Sequence, residues 1–216
     1  MDPTLLLDLD GTLVDTLPDL LASVNRLAAQ RGLPAFAGPE LRAMIGDGAA
    51  VLVQRAMASR GRTATTDDVQ TLLDDYTAHA AEGSRLFPGV ADGLRAMAAE
   101  GWRLAVCTNK PAGPARQVLA TLGILDLMAA VGGGDTYPVR KPDPAHLLAT
   151  LADAGGAAGA AVMVGDHQND ILAASGAAIP SVFAAWGYGD DPTGAAAAAP
   201  DFAAVPALAA GLLGLR

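Results

Sequence analysis

A chain of 216 residues has room for one or two domains and a sizeable buried core. Its 23 acidic residues against 14 basic ones leave a net charge of −9, which argues against a nucleic-acid partner. Apolar residues make up 51%, much of it alanine, yet there is no membrane-length apolar run, no signal-peptide pattern and a single cysteine, Cys107, so the expectation is a cytoplasmic protein without membrane partner or disulfide.

The run from Leu5 to Leu9, interrupted by Asp8 and followed by Asp10-Gly11-Thr12, reads as a buried parallel strand. Asp8 and Asp10, one residue apart, then lie on the same side of the strand at its carboxyl end. Two carboxylates so close repel each other unless a cation or a shared proton intervenes. A divalent metal with oxygen ligands relieves them, and Mg²⁺ is the usual one in phosphate chemistry.

Leu17 to Arg31 has helical spacing and stops at Gly32. Leu41 to Ile45 leads into a turn, Gly46-Asp47-Gly48, and Ala49 to Ser59 is helical again. Thr66-Asp67-Asp68 is an N-cap cluster for a helix reaching about Glu82. Residues 16–83 therefore read as an all-helical segment.

Beyond Phe87-Pro88-Gly89 the pattern alternates. Helices are expected over Val90 to Glu100, Ala115 to Leu122, Pro144 to Asp153 and Asp170 to Ser175. Strands are expected over Arg103 to Cys107, Ala129 to Gly132, Ala161 to Val164 and Ile179 to Phe183. The five alanines before Pro200 read as a loop leading to a terminal helix. Alternation of this kind predicts a parallel sheet with right-handed crossovers. The fold expected is α/β, a three-layer Rossmann-like core over residues 1–15 and 84–216, with the helical cap of residues 16–83 inserted after the first strand.

Strand ends of a parallel sheet share one edge, where open α/β folds bind ligands. Asp8 and Asp10, Thr108-Asn109-Lys110, Arg140-Lys141 and Asp166 with Asp170 would converge there. A carboxylate nucleophile, a second carboxylate, a hydroxyl, a lysine and acidic metal ligands are the parts that phosphoryl transfer needs. The plainer alternatives are a solvated turn for Asp8 and Asp10, a surface lysine for Lys141, a helix cap for Thr108 or Asp170, and an ordinary turn for Gly46-Asp47-Gly48.

The stretches DLDGTLVDT (Asp8 to Thr16), VCTNKP (Val106 to Pro111), RKPDP (Arg140 to Pro144) and VGDHQND (Val164 to Asp170) resemble the haloacid dehalogenase superfamily of phosphatases, and within it the phosphoglycolate phosphatases. MIGDGAAVLVQRAM (Met44 to Met57) resembles that family's cap, and LFPGV (Leu86 to Val90) its return to the core. The resemblance implies that Asp8 is the nucleophile and a Mg²⁺ ligand. It makes Asp10 the general acid/base, lending its backbone carbonyl to the metal. Thr108, Asn109 and Lys141 would bind the phosphoryl group, with Lys141 balancing its charge. Asp166 would ligate the metal, and Asp170 would support the metal or Lys141. His167 and Asp47 depart from the family's pattern, where Ser and Asn are more usual.

The substrate implied is a small phosphorylated metabolite, first 2-phosphoglycolate. The alternatives are a sugar phosphate such as N-acetylmuramic acid 6-phosphate, pyrophosphate, or a phosphomutase reaction. Gly46, Asp47 and Gly48 are the candidate cap contacts to the substrate; Arg55 is expected at a solvated surface position, with a further cation for the pocket as the alternative. Trp186 and Tyr188 read as packing and turn residues. A non-enzymatic phospho-acceptor module is the alternative of another class; Asp10 and the helical cap speak against it. The chain is expected as a monomer or homodimer.

Overall fold

The computed structural model describes residues 2–215. Its centre is a six-stranded sheet in the order β5-β4-β1-β6-β7-β8, with every neighbouring pair parallel. The strands are β1 (Thr4–Leu7), β4 (Arg103–Cys107), β5 (Met128–Gly132), β6 (Ala161–Gly165), β7 (Ser181–Ala184) and β8 (Ala197–Ala199). β1 sits between β4 and β6, with Leu5 opposite both Leu104 and Val162, and its apolar run is continuous because packed layers cover both of its faces.

Alternation sorts the side chains into two layers. Leu5, Leu7, Leu104, Val106, Val162 and Val164 pack on one face against α5 (Val90–Ala99), α6 (Ala112–Thr121) and α9 (Val205–Leu212). Leu6, Ala105, Cys107, Ala161 and Met163 pack on the other against α7 (Pro144–Asp153) and α8 (Gln168–Gly176). The three layers expected from the strand–helix alternation are therefore present.

Between β2 (Val14–Asp15) and β3 (Arg85–Leu86) the chain builds α1 (Leu17–Gln30), α2 (Gly38–Arg42), α3 (Ala49–Ser59) and α4 (Thr66–Ala78). These four helices close a hydrophobic core of their own around Val24, Leu27, Leu41, Val53, Met57, Leu72 and Tyr76. Thr65 and Asp68 form a reciprocal capping box at the start of α4, and Arg31 reaches across from α1 to Asp68 at 2.6 Å. The two chain crossings lie side by side because β2 and β3 pair antiparallel, Val14 opposite Leu86 and Asp15 opposite Arg85. Asp19 clamps the same junction by accepting from the backbone of Gly83 and Ser84 and from the Ser84 hydroxyl.

Three expectations are corrected. β1 ends at Leu7, so Asp8 begins the loop and Asp10 stands beyond the strand, in a bridge to Val14. The alanine run is not all loop: Ala197–Ala199 pairs with Val182, Phe183 and Ala184 as the edge strand. The helix expected from Asp170 starts at Gln168, which makes His167 its N-cap residue and leaves Asp170 at the third helical position. No helix among the described residues is long and apolar enough to cross a membrane.

Candidate active site

The carboxyl ends of β1, β4 and β6 and the loop before α7 bring the motif residues to one edge of the sheet. Lys141 is almost wholly buried there, with its Nζ 3.0 Å from Asp8 Oδ1 and 2.5 Å from Asp170 Oδ1. It also donates to the Cys107 carbonyl at 2.6 Å. His146, buried on α7, accepts from the Lys141 backbone N–H at 3.2 Å and so fixes the loop that carries the lysine. Burial, with the Lys141 charge beside it, holds His146 down at about 4, so it is a neutral acceptor.

Asp166 is fully buried. It accepts from the Thr12 hydroxyl at 2.8 Å and from the Tyr188 backbone N–H at 2.7 Å. Gly11, at φ +84°, lets the first loop pass close over it: a Cβ there would stand 2.3 Å from Asp166 Oδ2. His167 Nδ1 lies 3.2 Å from the same carboxylate, whose charge, set against the cost of burial, raises the imidazole to about 9. Asp170 Oδ2 accepts from the His167 backbone N–H, tying the start of α8 to the lysine pair.

Burial pushes the Asp8 carboxyl up to about 7, against the pull of Lys141 and with the help of Asp170, Asp166 and Asp10. Its Oδ1 is buried with no aligned hydrogen-bond donor. One atom each of Asp8, Asp166, His167 and Asp170 lies within 4.8 Å of the others. Three clustered carboxylates, with a buried acceptor left over, are a donor set suited to a hard divalent cation such as Mg²⁺.

Asp10 faces the cap. Its Oδ1 accepts from the Thr16 hydroxyl at 2.7 Å and stands 3.0 Å from Lys110 Nζ. Lys110 in turn lies over the ring of Tyr76 from α4, 4.1 Å from its centre. The Thr108 hydroxyl is buried and accepts from the Lys110 backbone N–H. Asn109 directs its amide hydrogens at the carbonyls of Gly46 and Lys141, at 3.2 and 3.0 Å.

The Gly46-Asp47-Gly48 turn is docked on the core. Gly46 O accepts from Asn109 and, at 2.8 Å, from Asn169. Gly46 and Gly48 line a cavity of about 50 Å³ that also reaches Asp8, Asp10, Thr108 and Asn109. Asp47 does not line it; its Oδ2 pairs with Arg55 at 2.5 Å near the surface, while its Oδ1 accepts from the Asn169 amide at 3.4 Å. Arg55 therefore adds no cation to the cavity.

Sequence reasoning assigned no site role of their own to four residues of this neighbourhood. Lys110 belongs to the VCTNKP stretch, but only the cap helix α4 buries it. Tyr76 carried no signal beyond helical spacing. His146 has an ordinary place on the apolar face of α7. Tyr188 is more than packing: its hydroxyl receives the backbone N–H groups of Thr16 and Leu17 and donates to Asp15 at 2.7 Å.

Residues 5–184 match the family model of the haloacid dehalogenase-like hydrolases. A phosphoglycolate phosphatase of Agrobacterium fabrum is 42% identical over 196 residues, 89% of this chain and 84% of its own. One of Rhodospirillum rubrum is 42% identical over 216 residues, 95% of this chain and 90% of its own. The crystal structure of a predicted phosphoglycolate phosphatase from Haemophilus somnus superposes with a TM-score of 0.89 at 32% identity, covering 96% of this chain and 97% of that one. The matched span takes in both the inserted helices and most of the sheet, and the chain belongs to the haloacid dehalogenase-like hydrolases.

Proposed function

We propose that this protein is a cytoplasmic, Mg²⁺-dependent phosphatase that hydrolyses 2-phosphoglycolate to glycolate and phosphate through an aspartyl-phosphate on Asp8. The observation that carries the reading is the buried, undonated Oδ1 of Asp8, 3.0 Å from Lys141 and facing a small cavity roofed by the cap turn. The two curated relatives described above are named for that substrate.

Asp8, Asp166 and the Asp10 backbone carbonyl would hold the metal, with Asp170 behind them; bound there, it would offset the charge of the phosphoryl oxygens. Asp8 attacks phosphorus, and the bond from phosphorus to the leaving oxygen breaks. Asp10 gives its proton to that oxygen, forming the alcohol of glycolate. In the second half Asp10 takes a proton from water, whose oxygen attacks phosphorus and releases phosphate and the Asp8 carboxylate. Lys141 and the Thr108 hydroxyl steady the phosphoryl group through both transfers. The seated cap keeps bulk water from the aspartyl-phosphate until the alcohol has left.

The docked Gly46–Gly48 turn and a wall of Leu20, Ile45, Leu52 and Leu72 offer the hydroxyls of a sugar few partners, which favours a compact substrate. The test is kcat/KM, with Mg²⁺, for 2-phosphoglycolate against N-acetylmuramic acid 6-phosphate, pyrophosphate and a set of hexose phosphates. We expect 2-phosphoglycolate to lead the panel. A sugar phosphate or pyrophosphate turned over faster would replace the substrate while keeping the chemistry. Stoichiometric phosphorylation without turnover would instead favour the phospho-acceptor reading.

A further inference from the structure

The cavity has two unlike ends. Asp8 and Thr108 mark the phosphoryl end, served by Lys141 from below. Around the remainder stand Leu20, Ile45, Leu52 and Leu72, which offer a substrate hydroxyl nothing to bond. Asp10, Asn109, Lys110 and Tyr76 interrupt that apolar wall, and the last two meet at the junction of core and cap, with the Lys110 ammonium over the Tyr76 ring.

Lys110 is the one cation among the lining residues, and it is 6% exposed. Among the described residues its ammonium donates only to the two oxygens of Asp10, which lie in one direction, while the Tyr76 ring occupies another. An ammonium carries three hydrogens, so donor capacity remains. The Tyr76 hydroxyl is the complementary observation: the residue is 3% exposed, it lines the cavity, and its oxygen has no hydrogen-bond partner. A buried hydroxyl left unpaired is costly unless a ligand completes it. The arginines of the cap are committed elsewhere. Arg26, Arg31, Arg55, Arg60 and Arg62 pair with carboxylates, and Arg42 donates to the carbonyls of Gly187 and Tyr188.

We propose that Lys110 and Tyr76 form a second anion subsite, which takes the carboxylate of the leaving group and so selects short phosphorylated carboxylic acids. The inference rests on the phosphatase reading above and deepens it. The ammonium supplies charge and one hydrogen; the hydroxyl supplies a second hydrogen from the cap side. Because Lys110 belongs to the core and Tyr76 to α4, a carboxylate between them also ties the cap to the core while the substrate is present. An apolar leaving group would gain neither contact and would leave the hydroxyl unpaired.

The test uses two non-hydrolysable probes as competitive inhibitors of p-nitrophenyl phosphate turnover: 3-phosphonopropionate, which carries the carboxylate, and propylphosphonate, which ends in a methyl group. In the wild type 3-phosphonopropionate should bind about tenfold or more tightly than propylphosphonate, as expected for a charged hydrogen bond in a buried site. Lys110→Met should bring that ratio close to one, whatever it does to the rate through its contact with Asp10. Tyr76→Phe should lower the ratio about threefold. Tyr76→Phe removes an oxygen that has no partner in the free protein, so it decides the matter should Lys110→Met fail to fold. A wild-type preference that survives in Lys110→Met, or an unchanged ratio in Tyr76→Phe, overturns the paired subsite and leaves the substrate reading standing. A wild type indifferent to the carboxylate takes both down.

Discussion

Lys141 Nζ stands 3.0 Å from Asp8 Oδ1, and both groups are shut away from solvent. The lysine is shared with Asp170 at 2.5 Å, while Asp166 adds a third carboxylate to the same cluster. Even with the His167 imidazolium beside Asp166, the three carboxylates exceed the two cations by one charge, and burial, aided by the neighbouring carboxylates, pushes the Asp8 carboxyl up to about 7. Asp8→Asn should therefore abolish turnover and at the same time stabilise the metal-free protein. Above pH 7 the folded wild type bears a buried charge that the amide lacks. We expect a rise in Tm of about 2–4 °C in chelator at pH 7.5, equivalent to about 1 kcal/mol in a chain of this size. Retained activity would exclude Asp8 as nucleophile, and a fall in Tm would refute the charge argument.

The same imbalance ties metal binding to pH. The Asp8 carboxyl titrates near 7 when folded and near its ordinary value of 3.8 when unfolded. Between those limits the folded state holds a proton that the unfolded chain has lost, so this group's contribution to stability falls as pH rises through the window. A divalent cation must displace that proton, and its affinity should climb about tenfold per pH unit until Asp8 is ionised. The Tm increase caused by a fixed Mg²⁺ concentration should be clearly larger at pH 8 than at pH 5.5. Equal increases at both would separate the metal from Asp8.

Much of this arrangement is legible before any coordinates. Leu5, Leu6 and Leu7 in succession can only be covered on both sides, and carboxylates that follow strand ends must gather at one edge of a parallel sheet. What escapes the sequence depends on distant packing. Ala197–Ala199 has no strand pattern of its own and becomes a strand because β7 offers it an edge. Lys110 follows a strand end like any surface lysine, and its burial comes from Tyr76, far along the chain in the cap. Asp47 has the spacing of a substrate contact but lies off the cavity, paired with Arg55 two turns along α3.

Tyr188 shows the same distance effect and carries its own prediction. Its hydroxyl takes the Thr16 N–H at 2.7 Å and the Leu17 N–H at 2.9 Å, two of the groups that the start of α1 leaves free. It also donates to Asp15, on the ribbon that joins core to cap. Tyr188→Phe would strand these partners and should cost about 1–3 kcal/mol in chemical denaturation. Faster hydrogen exchange at Thr16 and Leu17 should accompany the loss. A variant as stable as the wild type would mean that solvent replaces the hydroxyl.

Gly46 sits at φ +122°, and a Cβ there would stand 2.5 Å from Cδ2 of the His167 ring. Its carbonyl is the point at which Asn109 and Asn169 hold the cap turn to the core. Gly46→Ala therefore meets two penalties: a backbone conformation that L residues rarely adopt, and a collision with the residue next to Asp166. Both displace the turn from its seat, and kcat/KM should fall about tenfold or more for 2-phosphoglycolate and p-nitrophenyl phosphate alike. His167→Ala removes the ring and with it the collision, but not the backbone strain. In the double variant Gly46→Ala/His167→Ala, the second substitution should recover part of the loss caused by the first. The two effects would then be non-additive, as contact between the residues requires. Strict additivity would show that backbone strain alone governs the seat of the cap, and that the His167 ring has no part in it.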